Sequence, residues 1–200
     1  MDILIISLFM CGAFLCGSIP TGYLLVKHLK HLDVREVGSG NIGSTNVKRA
    51  AGRGISILAQ AGDILKGLVP VAIVMVVIPH INLGVDRHFV TSLTAIAAIA
   101  GHDFTPFLRF RGGKGVNTSL GAFILIAPIP MAGTAVLFLL LRLVTPLVSI
   151  RSLVSSVSFP VLVGILHLST VILVASSAAA LLIVIRHTDN IKRLIAGTER

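Results

Sequence analysis

Several apolar runs, each near the length needed to cross a bilayer and each bounded by short polar stretches, decide what this chain can fold into. About 30 Å of hydrocarbon takes roughly 20 residues of helix. Met1 to roughly Lys27, Gly54 to Pro79 and His88 to Phe104 meet or approach that length. With 54% of 200 residues apolar and 12% charged, the apolar side chains outnumber what one soluble core could bury. Backbone polar groups in lipid must be satisfied within each segment, so the spans are expected to be helical.

The first segment carries Asp2 but no basic residue ahead of its apolar run, and Gly17-Ser18-Ile19-Pro20 makes a poor cleavage site. The reading is an uncleaved membrane helix kinked near Pro20. Lys27, Lys30, Arg35, Lys48, Arg49 and Arg53 follow, and the positive-inside rule puts that stretch in the cytoplasm and the amino terminus outside. The second segment holds Asp63 and Lys66 on one helical face, a pair that structural and functional roles explain equally well. A fourth segment starts near Val116 and meets Pro128 and Pro130, which leaves it short for a span. Three more cover about Met131 to Thr145, Ser152 to His167 and Thr170 to His187. The predicted fold is an all-α polytopic transmembrane bundle of about seven helices, several of them short, with a cytoplasmic carboxyl terminus. Fifteen of the seventeen lysines and arginines then lie on one side, the exceptions being Lys66 and Arg87. No repeat or linker divides residues 1–200, so a single integral-membrane domain is expected.

A net charge of +9 would suggest nucleic acid in a soluble protein. Here the cations flank apolar segments, where anionic headgroups and topology account for them, and no nucleic-acid partner is expected. Cys11 and Cys16 lie in one apolar segment and do not suggest a disulfide. His28, His31, His80, His88, His102 and His167 have no spacing with carboxylates or thiols that would close a metal site, so no metal is predicted.

Three polar clusters remain, all on the predicted cytoplasmic side. The stretch GHDFTPFLRFRGGKGVNT, from Gly101 to Thr118, holds a Gly112-Gly113-Lys114-Gly115 turn ahead of a helix start at Val116. Glycines let successive backbone N–H groups converge, and a helix start adds partial positive charge, so the turn suits a phosphate. It is not a Walker A loop, since Leu108 occupies the first glycine position and Gly115 follows the lysine. Gly38-Ser39-Gly40-Asn41-Ile42-Gly43 satisfies the dinucleotide-binding string, and Asp63 lies twenty residues further on. That reading fails because the fingerprint needs a βαβ unit and Asp63 is inside a membrane segment. A loop rich in hydroxyl and amide groups remains, continued by Ser44, Thr45, Asn46 and Arg49, and it suits a phosphate with neighbouring hydroxyls. His187 and Asn190 share a helical face at the end of the last segment, while Ser149, Arg151 and Ser152 reach the same side. No obvious carboxylate base is expected beside these loops, and no nucleophile elbow or serine triad is evident. No cofactor is called for.

Taken together and in order, the three clusters resemble the bacterial acyl-phosphate-dependent glycerol-3-phosphate acyltransferases, the PlsY family. The resemblance is carried by Gly38-Ser39-Gly40-Asn41, Gly43, Thr45-Asn46 and Arg49; by Gly101-His102, Phe107, Phe110, Gly112 to Val116 and Thr118; and by His187, Asn190-Ile191, Arg193-Leu194, Gly197 and Glu199. Ser149 and Ser152 look like the family's polar interhelical loop. The chain departs from the usual pattern at Ile42, Arg111, Asn117 and Leu147. The resemblance implies a multi-pass protein of the bacterial plasma (inner) membrane, its site facing the cytoplasm. It also implies transfer of a fatty acyl group from acyl phosphate to the 1-hydroxyl of glycerol 3-phosphate, giving lysophosphatidic acid and phosphate. Those two substrates and membrane lipid are the expected partners, with no obligate protein partner. Gly112, Gly113, Lys114, Gly115 and Val116 are assigned to the acyl-phosphate group. Ser39, Asn46, Arg49, His187 and Asn190 are assigned to glycerol 3-phosphate, with Gly40, Asn41, Thr45, Thr118, Ser149 and Arg151 as further binding residues. Lys114, His187 and Asn190 are the catalytic candidates. The hydroxyl proton passes either to a substrate phosphate oxygen or to His187. The alternatives are a transporter or channel for a phosphorylated solute, using the same cationic loops, and an acyltransferase using a thioester donor.

Overall fold

The computed structural model describes residues 2–81 and 83–199. Met1, Asn82 and Arg200, the last counted above among the cytoplasmic cations, lie outside the described residues. Among those residues the secondary structure is helical, with no strand.

The first apolar run breaks where proline dictates. Helix α1 (Asp2–Ser18) stops before Ile19-Pro20, and α2 (Thr21–Lys30) resumes after it, because Pro20 has no N–H to offer the ladder. The break is stitched to α4 (Arg53–Val77): Lys66 Nζ donates to the Ile19 carbonyl at 2.9 Å and pairs with Asp63 at 2.8 Å. Thr21 Oγ1 donates to the same carboxylate at 2.6 Å. The intramembrane ion pair therefore has a structural task, holding the two halves of a broken helix against α4. Between α2 and α4 lies the short α3 (Ser44–Ala51).

Glycine sets the helix spacing. A Cβ at Gly17 would lie 2.0 Å from the Ala98 carbonyl oxygen, and one at Gly101 would lie 2.1 Å from that of Phe14. Those two close approaches join α1 to α5 (Arg87–Asp103), whose start is capped by the Asp86 carboxylate accepting from the His88 and Phe89 N–H groups. The same device joins α4 to α6 (Val116–Phe123): Gly67 faces the Thr118 carbonyl and Gly121 the Ile64 carbonyl. Backbone-to-backbone packing of this kind is how membrane helices associate when lipid removes the hydrophobic incentive.

The second half consists of α7 (Pro128–Leu140), α8 (Val148–Ile165), α9 (Thr170–Arg186) and α10 (Thr188–Ile195). Ser149 and Ser152 stand in the first turns of α8, not in a loop. The shared core draws Val71, Ile99, Phe123, Phe159, Val163 and Ile172 from α4, α5, α6, α8 and α9. Phe123 and Phe159 meet edge to face with centroids 5.1 Å apart. Many large apolar side chains point outward, among them Leu8, Val157, Val161 and Leu181, as a lipid-facing surface requires.

Among the described residues, three helices, Asp2–Lys30 taken through its break, Arg53–His80 and Val148–Ile165, are long and apolar enough to cross a membrane. Helices α9 and α10, bent by 57° at His187, make a fourth if counted as one. Helix α5 has 17 residues, α7 has 13 and α6 only 8, so the short segments expected from the sequence are present as helices below spanning length.

Candidate active site

Three segments far apart in the chain converge at one end of the bundle. Ser39, Gly40 and Asn41 from the first loop, Arg111, Gly112 and Lys114 from the second, and Arg186, Asp189 and Arg193 from the α9–α10 corner line a cleft of about 540 Å³. That lies within the usual range of ligand clefts, roughly 300–1,000 Å³.

The first loop is held in shape by Asn46. Its amide oxygen accepts from the Ser39 N–H at 3.0 Å, and its nitrogen donates to the carbonyls of Val34 and Val37, both at 2.9 Å. Asn46 is buried, so it braces the loop and does not line the cleft. Asn41 accepts from the Gly43 N–H at 2.8 Å, closing the turn that leads into α3. Thr45 and Arg49 are exposed on α3 outside the cleft lining, with the Arg49 side chain packed against the Gly38 position.

The second loop corrects the expected glycine cradle. The Gly112 N–H donates to the Asp103 carbonyl at 3.2 Å and the Gly113 N–H to that of His102 at 3.0 Å, so neither is available to an anion. These glycines serve close packing, since a Cβ on Gly113 would sit 2.0 Å from His102 Nε2. His102 is in turn 3.7 Å from Asp63, which ties the loop to the stitched break below. Arg186 fastens the loop from the other side, donating to the carbonyls of Gly113 at 3.0 Å and Gly112 at 3.1 Å while its guanidinium lies over the Phe104 ring. Gly115 adopts a left-handed conformation (φ 75°) and turns the chain into α6.

What the loop does present is Lys114. Its ammonium donates to the Asn190 amide oxygen, whose nitrogen donates to Glu199 at 2.5 Å. Arg193 also donates to Glu199 at 2.6 Å, and buried Ser149 stands beside that carboxylate. Burial pushes the Lys114 pKa down to about 8, with Arg193 and Arg186 adding to the shift against the pull of Glu199. Burial alone would raise Glu199, but the hydrogen bonds from Asn190 and Arg193 outweigh it and hold the carboxyl below its usual range. His187 is pushed down to about 4, again mainly by burial. Its Nδ1 is 2.7 Å from the Ile183 carbonyl, which can only accept, so Nδ1 carries the proton and Nε2 is left as the acceptor.

The sequence reading missed two things. Asp33, Glu36 and Asp189, each within a few residues of a polar cluster in the sequence, line the cleft, so carboxylates do stand beside these loops. Arg186 counted only as a topology-setting cation, although its place next to His187 was a usable signal. Other expected residues lie apart. The Arg151 guanidinium stacks on Phe138 at 5.0 Å, and Thr118 is buried with no hydrogen-bond partner for its hydroxyl. Val116 lines a second cavity of about 270 Å³, largely apolar, between α6, α7, α8 and α9. Ser119, Thr134 and Ser155 on its walls have buried hydroxyls without partners.

A helix bundle with an apolar exterior, a cation-rich cleft at one end and a largely apolar cavity among α6 to α9 defines the class as an integral-membrane enzyme with a cleft suited to an anionic group. The family model for glycerol-3-phosphate acyltransferase matches residues 7–197, and the chain belongs to that family. It is 48% identical to a glycerol-3-phosphate acyltransferase of Clostridium acetobutylicum over 96% of this chain and 94% of that one. With one from Geotalea daltonii it shares 41% identity over 98% and 95% of the two chains. Crystal structures of PlsY, an integral membrane glycerol 3-phosphate acyltransferase, in a glycerol 3-phosphate form and a lysophosphatidic acid form, superpose with TM-scores of 0.87 and 0.86. Identity to both is 31%, over 98% of this chain and 94% of theirs.

Proposed function

We propose that the chain transfers a fatty acyl group from acyl phosphate to the 1-hydroxyl of glycerol 3-phosphate, releasing lysophosphatidic acid and phosphate. The observation that carries this reading is the position of Lys114, which lines the polar cleft two residues before Val116 and Asn117 line the apolar cavity. A donor whose phosphate lies at Lys114 can extend its chain into the cavity while the acceptor occupies the cleft. Ser39, Gly40 and Asn41 on one wall and Arg186 and Arg193 on the other suit the phosphate and hydroxyls of glycerol 3-phosphate. Asn46 acts by shaping the first loop, and Gly112 and Gly113 by seating the second.

Acyl phosphate is an activated mixed anhydride, so positioning and charge stabilisation supply most of the acceleration. The acceptor hydroxyl oxygen attacks the acyl carbonyl carbon, and the carbonyl–phosphate bond breaks with its electron pair going to phosphate. Lys114, held by Asn190, neutralises that leaving group. A phosphate monoester has a second pKa near 6, whereas His187, buried outside the cleft lining, lies at about 4. On this reading the proton passes to a substrate phosphate oxygen, and His187, tied through Nδ1 to the Ile183 carbonyl, braces the α9–α10 corner behind the cleft.

Residues 1–200 act as one membrane domain. The distribution of cations supports about seven membrane segments, an external amino terminus, a cytoplasmic carboxyl terminus and a site facing the cytoplasm at the bacterial inner membrane. Purified protein given synthetic acyl phosphate and glycerol 3-phosphate should form lysophosphatidic acid and phosphate in equal amounts. Phosphate release without the acceptor, or transfer from a thioester donor alone, would overturn the assignment.

A further inference from the structure

The apolar cavity runs along α7 and α8 away from the polar end of the bundle. Val116 and Asn117, in the first turn of α6, line it beside Lys114. From there α8 contributes Ser152 and then Phe159, while α7 contributes Phe138 and then Met131. The direction is fixed by Ser149 and Arg151: the first stands beside Glu199 at the polar end and the second stacks on Phe138. Seven positions separate each of these pairs, about 10 Å at 1.5 Å of rise per residue. The walls between are small, with Ser155 and Ser156 facing Ala179 and Ala180. The lining residues farthest from the polar end on α8 and α7 are large, Phe159 and Met131. Phe159 is 4% exposed and has the fully buried Phe123 edge-on against it, so it cannot swing aside.

We infer that Phe159, braced by Phe123, and Met131 form the inner stop of the donor's chain site and set how many methylenes the protein encloses. The inference rests on the acyl-phosphate reading and adds to it the residues that determine chain length. An extended chain advances roughly 3.6 Å per three backbone bonds, or about 1.2 Å per bond. The 10 Å depth therefore takes about eight bonds. Each methylene moved from water into the cavity is worth about fourfold in kcat/KM, and those beyond the stop gain nothing from it.

The experiment uses the full-length protein with saturating glycerol 3-phosphate and a series of acyl phosphates below their micelle concentrations. For wild type, kcat/KM should climb with chain length and level off near eight to ten carbons. Phe159→Ala should move the levelling point outward by about two methylenes, a gain of roughly fifteenfold for the longer donors. Ala180→Leu, which fills the cavity from the opposite wall, should move it inward and keeps the test intact if Phe159→Ala does not fold. Identical length profiles in wild type and the folded variants, with transfer and the KM for glycerol 3-phosphate preserved, overturn the stop while leaving the donor reading in place. Absence of transfer from every acyl phosphate in wild type overturns the donor reading and the stop with it.

Discussion

Replacing Gly113 with alanine separates two accounts of the glycine loop. If the loop were an amide cradle for phosphate, a methyl group on its inner side would matter only by narrowing the cradle. In the structure the added Cβ lies 2.0 Å from His102 Nε2 and 2.6 Å from Cε1, against an ordinary contact of 3.4 Å or more. The loop must retreat by about 1.4 Å, the difference between those distances, because the imidazole is buried and has nowhere to go. That shift opens the Gly113–His102 backbone hydrogen bond and the Arg186 contact to the Gly113 carbonyl, and it carries Lys114 out of line. A misplacement near 1 Å costs about 100-fold in rate, and overpacking costs about 1–3 kcal/mol of stability. Gly113→Ala should therefore lower kcat/KM about 100-fold and lower the unfolding temperature. Adding His102→Ala should return at least tenfold of the lost activity, since it removes the obstructing ring. Activity of the single variant within threefold of wild type, or a double variant no better than the single one, would refute the packing argument.

Lys114 gives a pH prediction. Its folded-state pKa lies near 8, below its ordinary value, so the charged form that neutralises phosphate is lost as pH rises through 8. In kcat/KM, which reports the free enzyme, activity should fall about tenfold per unit above that pH. A flat profile from pH 7 to 10 contradicts the role, and Lys114→Met should leave no measurable turnover at any pH. Arg186→Lys keeps the charge but loses the fork that reaches two carbonyls. It should lower kcat/KM about tenfold while Arg186→Ala loses more, as steady-state kinetics will show. Glu199→Ala leaves Asn190 without its anchor and should cut turnover by tenfold or more; because the Glu199 charge holds the Lys114 pKa up, the Lys114 titration limb should also move to lower pH.

The sequence and the fold agree where a residue type has one physical consequence. Pro20 lacks an N–H, so the break between α1 and α2 was legible at once. The Asp63–Lys66 spacing likewise foretold a pair on one face, though not that Lys66 would also bind the Ile19 carbonyl. Glycine is different. It permits a left-handed turn, an exposed amide or a close approach, and the letter alone does not say which. Gly115 proved to be the first and Gly113 the third. Asp33, Glu36 and Asp189 are a different case: each stands within a few residues of a polar cluster in the sequence, and only their convergence on the cleft with Lys114 belongs to the folded chain.

The shortest helix unites these observations. Eight residues cannot cross a bilayer, and in lipid the open ends of α6 would leave backbone groups unpaired. Gly67 and Gly121 let α6 lie directly on α4, so protein and not lipid surrounds it. A full-length helix in that place would carry its first turn past the cleft or close the cavity behind it. Because α6 is short, its start can stand at the polar cleft beside Lys114 while Ser119 and Leu120, one turn on, already line the apolar cavity. The meeting of a charged headgroup site with an acyl site within one helical turn is thus a consequence of glycine-mediated packing, and lengthening the residues at Gly67 or Gly121 should damage the reaction without touching either substrate.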